Sequence, residues 1–172
     1  MAKLIKNREI VEDNWKVLTL AANDTPETVK LPFGNVLVPL AVWQARKEDL
    51  IHREWDQGHA LGVWLGPKDN PADLAADLDD LSVIGVEFPL ANDGRGYSIA
   101  TLLRTRYGYR GELRALGAVG RDHIHYLHRV GFDAFAIREP ELAIVGLDDF
   151  SEAYQAAANQ LLPLFRRRAA VA

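Results

Sequence analysis

Residues 86–139, VEFPLANDGRGYSIATLLRTRYGYRGELRALGAVGRDHIHYLHRVGFDAFAIRE, read as strand, glycine-rich turn, helix, strand, polar turn, helix, strand. The apolar runs Val83–Phe88, Leu113–Leu116 and Ala134–Ile137 are short enough for strands, and the segments between them carry helical periodicity. Asn92-Asp93-Gly94-Arg95-Gly96-Tyr97-Ser98 follows the first strand, and Ala118-Val119-Gly120-Arg121-Asp122-His123 follows the second. Both turns fall at strand carboxyl ends and helix amino ends, the edge on which parallel α/β proteins bind ligands.

Working outward, Val36–Trp43 reads as a strand made irregular by Pro39, and Gln44–Gln57 as a polar helix ended by Gly58. Leu61–Leu65 is a further strand, and Asp69-Asn70-Pro71 starts a helix over Ala72–Leu81 with an acidic face of Asp73, Asp77, Asp79 and Asp80. The first 20 residues read as a small β-hairpin or meander, Ala21–Gly34 as a linker, and Phe150–Leu162 as an amphipathic helix before the basic tail Arg166-Arg167-Arg168. The expected organisation is a single domain over 1–172. It has an appendage and linker at 1–34, a βα-repeat layer at 35–165 and a tail at 166–172.

Alternating strands and helices imply a parallel sheet, here of about five strands. In the central strands Gly85 and Glu87 alternate with Ile84, Val86 and Phe88, while Glu112 and Arg114 alternate with Leu113 and Ala115. One face is thus apolar and the other carries small or charged groups. That favours a curved, partial TIM-barrel-like sheet, with a doubly wound three-layer sheet as the alternative. An unclosed sheet leaves an edge, which the hairpin or a homodimer contact would cover.

A net charge of −4 argues against a general nucleic-acid binder. The chain has no cysteine, which removes disulfides, thiolate zinc sites and cysteine-ligated iron–sulfur clusters. No apolar run approaches membrane-spanning length and no signal-peptide core is seen, so the cytoplasm is the expected location and no membrane is expected as a partner. No dinucleotide, flavin or haem motif appears, and the cofactor is left unknown: GRG lacks the third glycine of a dinucleotide fingerprint.

The DGRGYS turn is the sharpest chemical signal. Gly94 and Gly96 allow close backbone approach, Arg95 offers a planar fork of donors and Ser98 can cap the next helix, a combination suited to an oxyanion. A structural turn with a solvated Arg95 explains the same residues. Arg114, on a strand among apolar neighbours, can face a pocket or pair with Glu87 or Glu112 in a buried salt bridge. Asp93, Tyr97 and Asp122 are the candidate proton-moving groups. Asp122 is equally explained by helix capping, and Tyr97 by a place at the core edge. His123, His125 and His128 have no carboxylate at a matching spacing, and no metal is expected.

DGRGYS, then LLRTRYGYRGELRALG, then GRDHIHYLHRVGFDAFAIRE together resemble an uncharacterised bacterial family, domain of unknown function 934, whose members are described as oxidoreductases involved in sulfite reduction. The likeness is dense over about 82–140. The chain departs from the family pattern at Ala118, where an aspartate is usual, and at His123, where a glutamine is usual. The resemblance implies assimilatory sulfur metabolism and leaves open whether the chain is itself an enzyme. Two readings follow. One is an accessory subunit, or an assembly or hand-off partner, of sulfite reductase. The other is an enzyme binding sulfite or a related oxyanion at the strand carboxyl ends through Arg95, Gly96, Ser98, Arg114 and Arg121. In the second, Arg95 and Arg121 converge on one concavity, bridged by an anion, ordered water or a carboxylate.

Overall fold

The computed structural model describes residues 2–150 and 153–169. Eight strands form one sheet: β1 Ala2–Lys6, β2 Glu9–Asp13, β3 Trp15–Val17, β4 Asn35–Pro39, β5 Leu61–Leu65, β6 Val83–Phe88, β7 Glu112–Gly117 and β8 Ala134–Phe135. Their order is β2-β1-β8-β7-β6-β5-β4-β3. Neighbours from β3 to β8 are parallel, while β1 is antiparallel to both β2 and β8. The sheet is therefore mixed and larger than the parallel five-stranded layer expected from the repeats. The N-terminal hairpin is not an appendage, because β1 pairs with β8 and covers the edge that the last parallel strand would expose.

The two border strands, β2 and β3, are separated in sequence by Asn14 alone. In a flat sheet β3 and β7, four strand spacings apart, would lie about 19 Å from each other. Instead the Arg114 guanidinium of β7 lies 5.7 Å from the ring centre of Trp15 on β3. The sheet is accordingly curled into a half-barrel. Val38, Val63, Ile84, Val86, Leu113 and Phe135 point from its outer face into the main core. The alternate positions Leu37, Val83 and Leu116 form a second cluster inside the curl, with Trp15, Trp64 and Ala136 packed against it. Each fully buried aliphatic side chain of this kind contributes about 1.5–3 kcal/mol. Gly62 and Gly85 make room for these side chains: a Cβ on Gly62 would sit 2.6 Å from Leu37 Cδ2, and one on Gly85 2.7 Å from Leu116 Cδ1.

The helices are α1 Leu40–Gln57, α2 Arg95–Thr105, α3 Arg121–Arg129, α4 Pro140–Ala143 and α5 Leu164–Ala169. Three differences from the sequence reading have identifiable causes. The strand expected over 36–43 stops at Pro39, and α1 starts at Leu40, because proline has no N–H to continue the ladder. The helix expected over 72–81 is two 3-10 turns, Pro71–Leu74 and Leu78–Asp80, and Asp77 between them turns inward to accept from Trp43 Nε1 at 2.7 Å and from Lys47. Residues 153–162 of the helix expected over 150–162 are irregular, held by backbone bonds such as Asn159 N to Arg129 O at 3.3 Å. Positions 151 and 152 of that expectation, and 170–172 of the tail, lie outside the described residues.

Candidate functional site

The DGRGYS turn joins β6 to α2, as its glycines suggested. Asp93 folds back over the helix start: its Oδ1 accepts from the Arg95 backbone N at 3.1 Å and from Arg95 Nε at 2.9 Å, and its Oδ2 accepts from Nη2 at 2.6 Å. These bonds hold the Asp93 carboxyl below the usual carboxylate range and raise the Arg95 guanidinium further. Gly96 packs directly on the Phe88 ring, which a Cβ would meet at 2.5 Å. Tyr97 stands edge-on to the same ring at 5.6 Å, and burial pushes its phenol up. Ser98 lies inside the first turn of α2, so the N-cap position falls to Gly94 and the expected serine cap is not made. The backbone N of the helix's first residue is met by Asp93 instead.

After β7 the chain turns at Gly117, whose φ of +88° and approach to Phe88 O leave no room for a side chain. Gly120 is the N-cap of α3, and its N–H donates to His123 Nδ1 at 3.1 Å. Arg121 then reaches Asp149: Nε donates to Oδ2 at 3.1 Å, and Nη2 to Oδ1 at 2.7 Å and Oδ2 at 2.9 Å. That carboxylate raises the Arg121 guanidinium above its ordinary value. Asp122 stands exposed in the first turn of α3. His123, His125 and His128 go separate ways, to the Gly120 backbone, to the Phe150 ring at 4.6 Å and to Phe132 O at 3.3 Å.

Among the described residues, Arg114 is the charged group buried deepest. It donates from Nε to Glu112 Oε1 at 2.7 Å and from Nη1 to Asp13 Oδ1 at 2.9 Å, with only 2% of its side chain exposed. Lys6 completes the set by holding Glu112 Oε2 at 2.7 Å. Glu112 was a foreseen partner. Asp13 was not, because nothing in the sequence says that the first strands lie beside β7 in space. Glu87, the other carboxylate considered, stays half-buried on the inner face and takes no part in these bonds.

The candidate residues therefore fall into three separate groups. Arg95 pairs with Asp93, Arg121 with Asp149, and Arg114 with Glu112 and Asp13. Each arginine has its own carboxylate, and among the described residues no single carboxylate bridges Arg95 and Arg121. A concavity of about 690 Å³ does open at the carboxyl ends of β7 and β8, and Gly120, Arg121, Arg138 and Glu139 line it, without Arg95.

Sequence reading missed the exposed apolar side chains in and around this concavity, whose wall includes Leu142 and Val145. Tyr126 and Phe150 are each 52% exposed with ring centres 5.7 Å apart, and Leu142 is 66% exposed on α4. Val145, 50% exposed, follows on the 3-10 turn Ile144–Leu147, which packs on both α3 and α4. Part of the signal was present in the run ELAIVGLDDF, of which only Phe150 was assigned, to an amphipathic helix.

No curated protein matches this chain. A family model matches residues 62–165, which include β5 to β8 and both candidate turns, and the resemblance carried by DGRGYS is borne out: the chain belongs to the family of bacterial proteins of unknown function, DUF934.

Proposed function

We propose that this chain is an accessory protein of sulfite reduction in assimilatory sulfur metabolism, a cytoplasmic docking, assembly or hand-off partner of sulfite reductase. The observation that carries this reading is the exposed aromatic pair Tyr126 and Phe150, with exposed Leu142 and Val145 on elements that pack beside α3. Apolar groups gathered on adjoining elements mark an interaction surface more often than they decorate a free one. A charge lies close by, with Arg129 on the same helix α3 as Tyr126, in keeping with an apolar centre and a polar rim. The sulfur-metabolism part of the reading comes from the sequence resemblance.

The second reading is a small-oxyanion enzyme at the strand carboxyl ends, in keeping with a partial TIM-barrel-like view of the curled sheet. The concavity beside Arg121 and Arg138 favours it. There an entering anion must compete with Asp149 for Arg121.

The test is a tagged pull-down from cells grown on sulfate as sole sulfur source, with the wild type and a Tyr126→Ser, Phe150→Ser double variant. The accessory reading expects a sulfite reductase component with the wild type and its loss with the double variant. Recovery of none, or equal recovery with both, overturns it.

A further inference from the structure

Several arginines in this chain are already neutralised: Arg95 by Asp93, Arg104 by Asp133, Arg114 by Glu112 and Asp13, and Arg121 by Asp149. Arg110 is different. It is exposed, and among the described residues it forms no ion pair or hydrogen bond. It stands in the loop before β7, at the amino end of the sheet and therefore opposite Arg95 and Arg121.

A polar cavity of about 450 Å³ opens at that end, and Lys6, Asn7, Trp15, Ser82, Arg110 and Glu112 are among the residues that line it. It lies at the entrance to the inside of the curl, over the Lys6–Glu112–Arg114–Asp13 chain, of which the Glu112 and Arg114 side chains are buried. Its donors are largely unspent. The Lys6 ammonium gives one bond to Glu112, at 2.7 Å, and an ammonium has three protons to give. The Asn7 amide and the Ser82 hydroxyl make no hydrogen bond among the described residues. Its carboxylates, in contrast, are engaged. Glu112 receives Lys6 and Arg114, and Asp133, also on the wall, receives Arg104 and the Leu113 backbone N.

A cavity with free donors, one uncompensated guanidinium and occupied carboxylates is complementary to an acceptor-only ligand of negative charge. We propose that this amino-end cavity is a binding site for a small oxyanion, with Arg110 as the bidentate clamp and Lys6, Asn7 and Ser82 as further donors. The antiparallel hairpin makes the site possible, since its β1 end and turn bring Lys6 and Asn7 to the amino ends of β6 and β7. The site does not depend on the docking reading: it uses the opposite side of the sheet from the Arg95 and Arg121 turns and needs no partner protein.

Calorimetry with sulfite, sulfate and phosphate, each titrated alone into the wild-type chain, tests the proposal. Saturable one-site binding of at least one of them is expected, and the anion bound tightest identifies the class. Arg110→Ala should weaken it about tenfold or more, the loss expected for a charge-assisted pair. Asn7→Ala should weaken it less, and Arg95→Ala should leave it unchanged. Thermal unfolding establishes that each variant is folded. No saturable binding of any of the three anions, unchanged binding by Arg110→Ala, or an equal loss in Arg95→Ala overturns the assignment.

Discussion

Arg114 donates from Nη1 to Asp13 Oδ1 at 2.9 Å, joining residues 101 positions apart across the inside of the sheet. The contact ties the border of the sheet to its middle. It also gives the buried guanidinium a second carboxylate beside Glu112.

Arg114→Ala leaves Glu112 and Asp13 facing each other without their shared cation. The expected cost is about 3–5 kcal/mol, the range for breaking one side of a buried ion pair. Arg114→Met, which fills the space but removes the charge, should be as damaging unless Asp13 and Glu112 are neutralised with it. Urea unfolding of the single and triple variants checks this, with the triple variant expected to recover part of the loss.

The inner glycines should differ in tolerance. A Cβ on Gly62 meets Val83 O at 2.5 Å, a backbone atom that cannot move without breaking the ladder, whereas on Gly85 the nearest atom is the Leu116 Cδ1 tip at 2.7 Å. Gly62→Ala should cost about 1–3 kcal/mol through overpacking, and Gly85→Ala less. Paired denaturation midpoints decide the order.

Asp77 gives the fold an acid-sensitive component. Burial alone would raise its pKa, but hydrogen bonds from Lys47 and Trp43 outweigh that and hold the carboxyl below its ordinary value. A depressed folded pKa stabilises above the unfolded value and is lost as pH falls through the folded one. Wild type and Asp77→Asn should therefore differ in stability at pH 7, and the gap should shrink on acidification below about pH 4. The partner behaves oppositely: Lys47 is raised by the same bond, so its share is present below its unfolded pKa and lost at high pH. Denaturant midpoints across acid pH read the effect.

Tyr109 is buried, and its hydroxyl donates to Leu81 O at 3.0 Å, so burial pushes its phenol far above the usual tyrosine range. In an alkaline absorbance titration this tyrosine should stay protonated until the chain unfolds. Tyr109→Phe should leave the early part of that curve unchanged and remove amplitude only from the unfolding step.

Much of the central architecture could be read directly from residue patterns. The alternation of Gly85 and Glu87 with Ile84, Val86 and Phe88 reported a sheet with two unlike faces, and the sheet is curled around one of them. The glycines of DGRGYS, one of which packs on the Phe88 ring, and the N-terminal turn, where Asn7 and Arg8 take left-handed conformation, were local signals with local causes. What escaped were choices made in three dimensions. Asp149 for Arg121 and Asp13 for Arg114 are partners that no window of sequence brings together. Asp77 looked like part of a solvated acidic helix face because its real partners, Trp43 and Lys47, lie 34 and 30 positions away. Local spacing likewise favoured a helix over 150–162, while the irregular path at 153–163 follows α3 through bonds such as Arg129 Nη2 to Gln155 O at 3.1 Å.

The link through Asn14 bears on how the chain is made. Strands β1 to β3 leave the ribosome first, yet β1 finds its second neighbour only when β8 has been synthesised. Until residues 134–135 emerge, the early hairpin has one side unmatched, and the curl cannot be completed from either direction. Pairings between distant parts of a chain fold slowly, because the intervening loop must be ordered before the contact stabilises anything. The nascent hairpin thus waits as a strand pair until β8 appears, and its cross-strand pairs Lys3–Glu12 and Lys6–Glu9 keep charge along it during that interval.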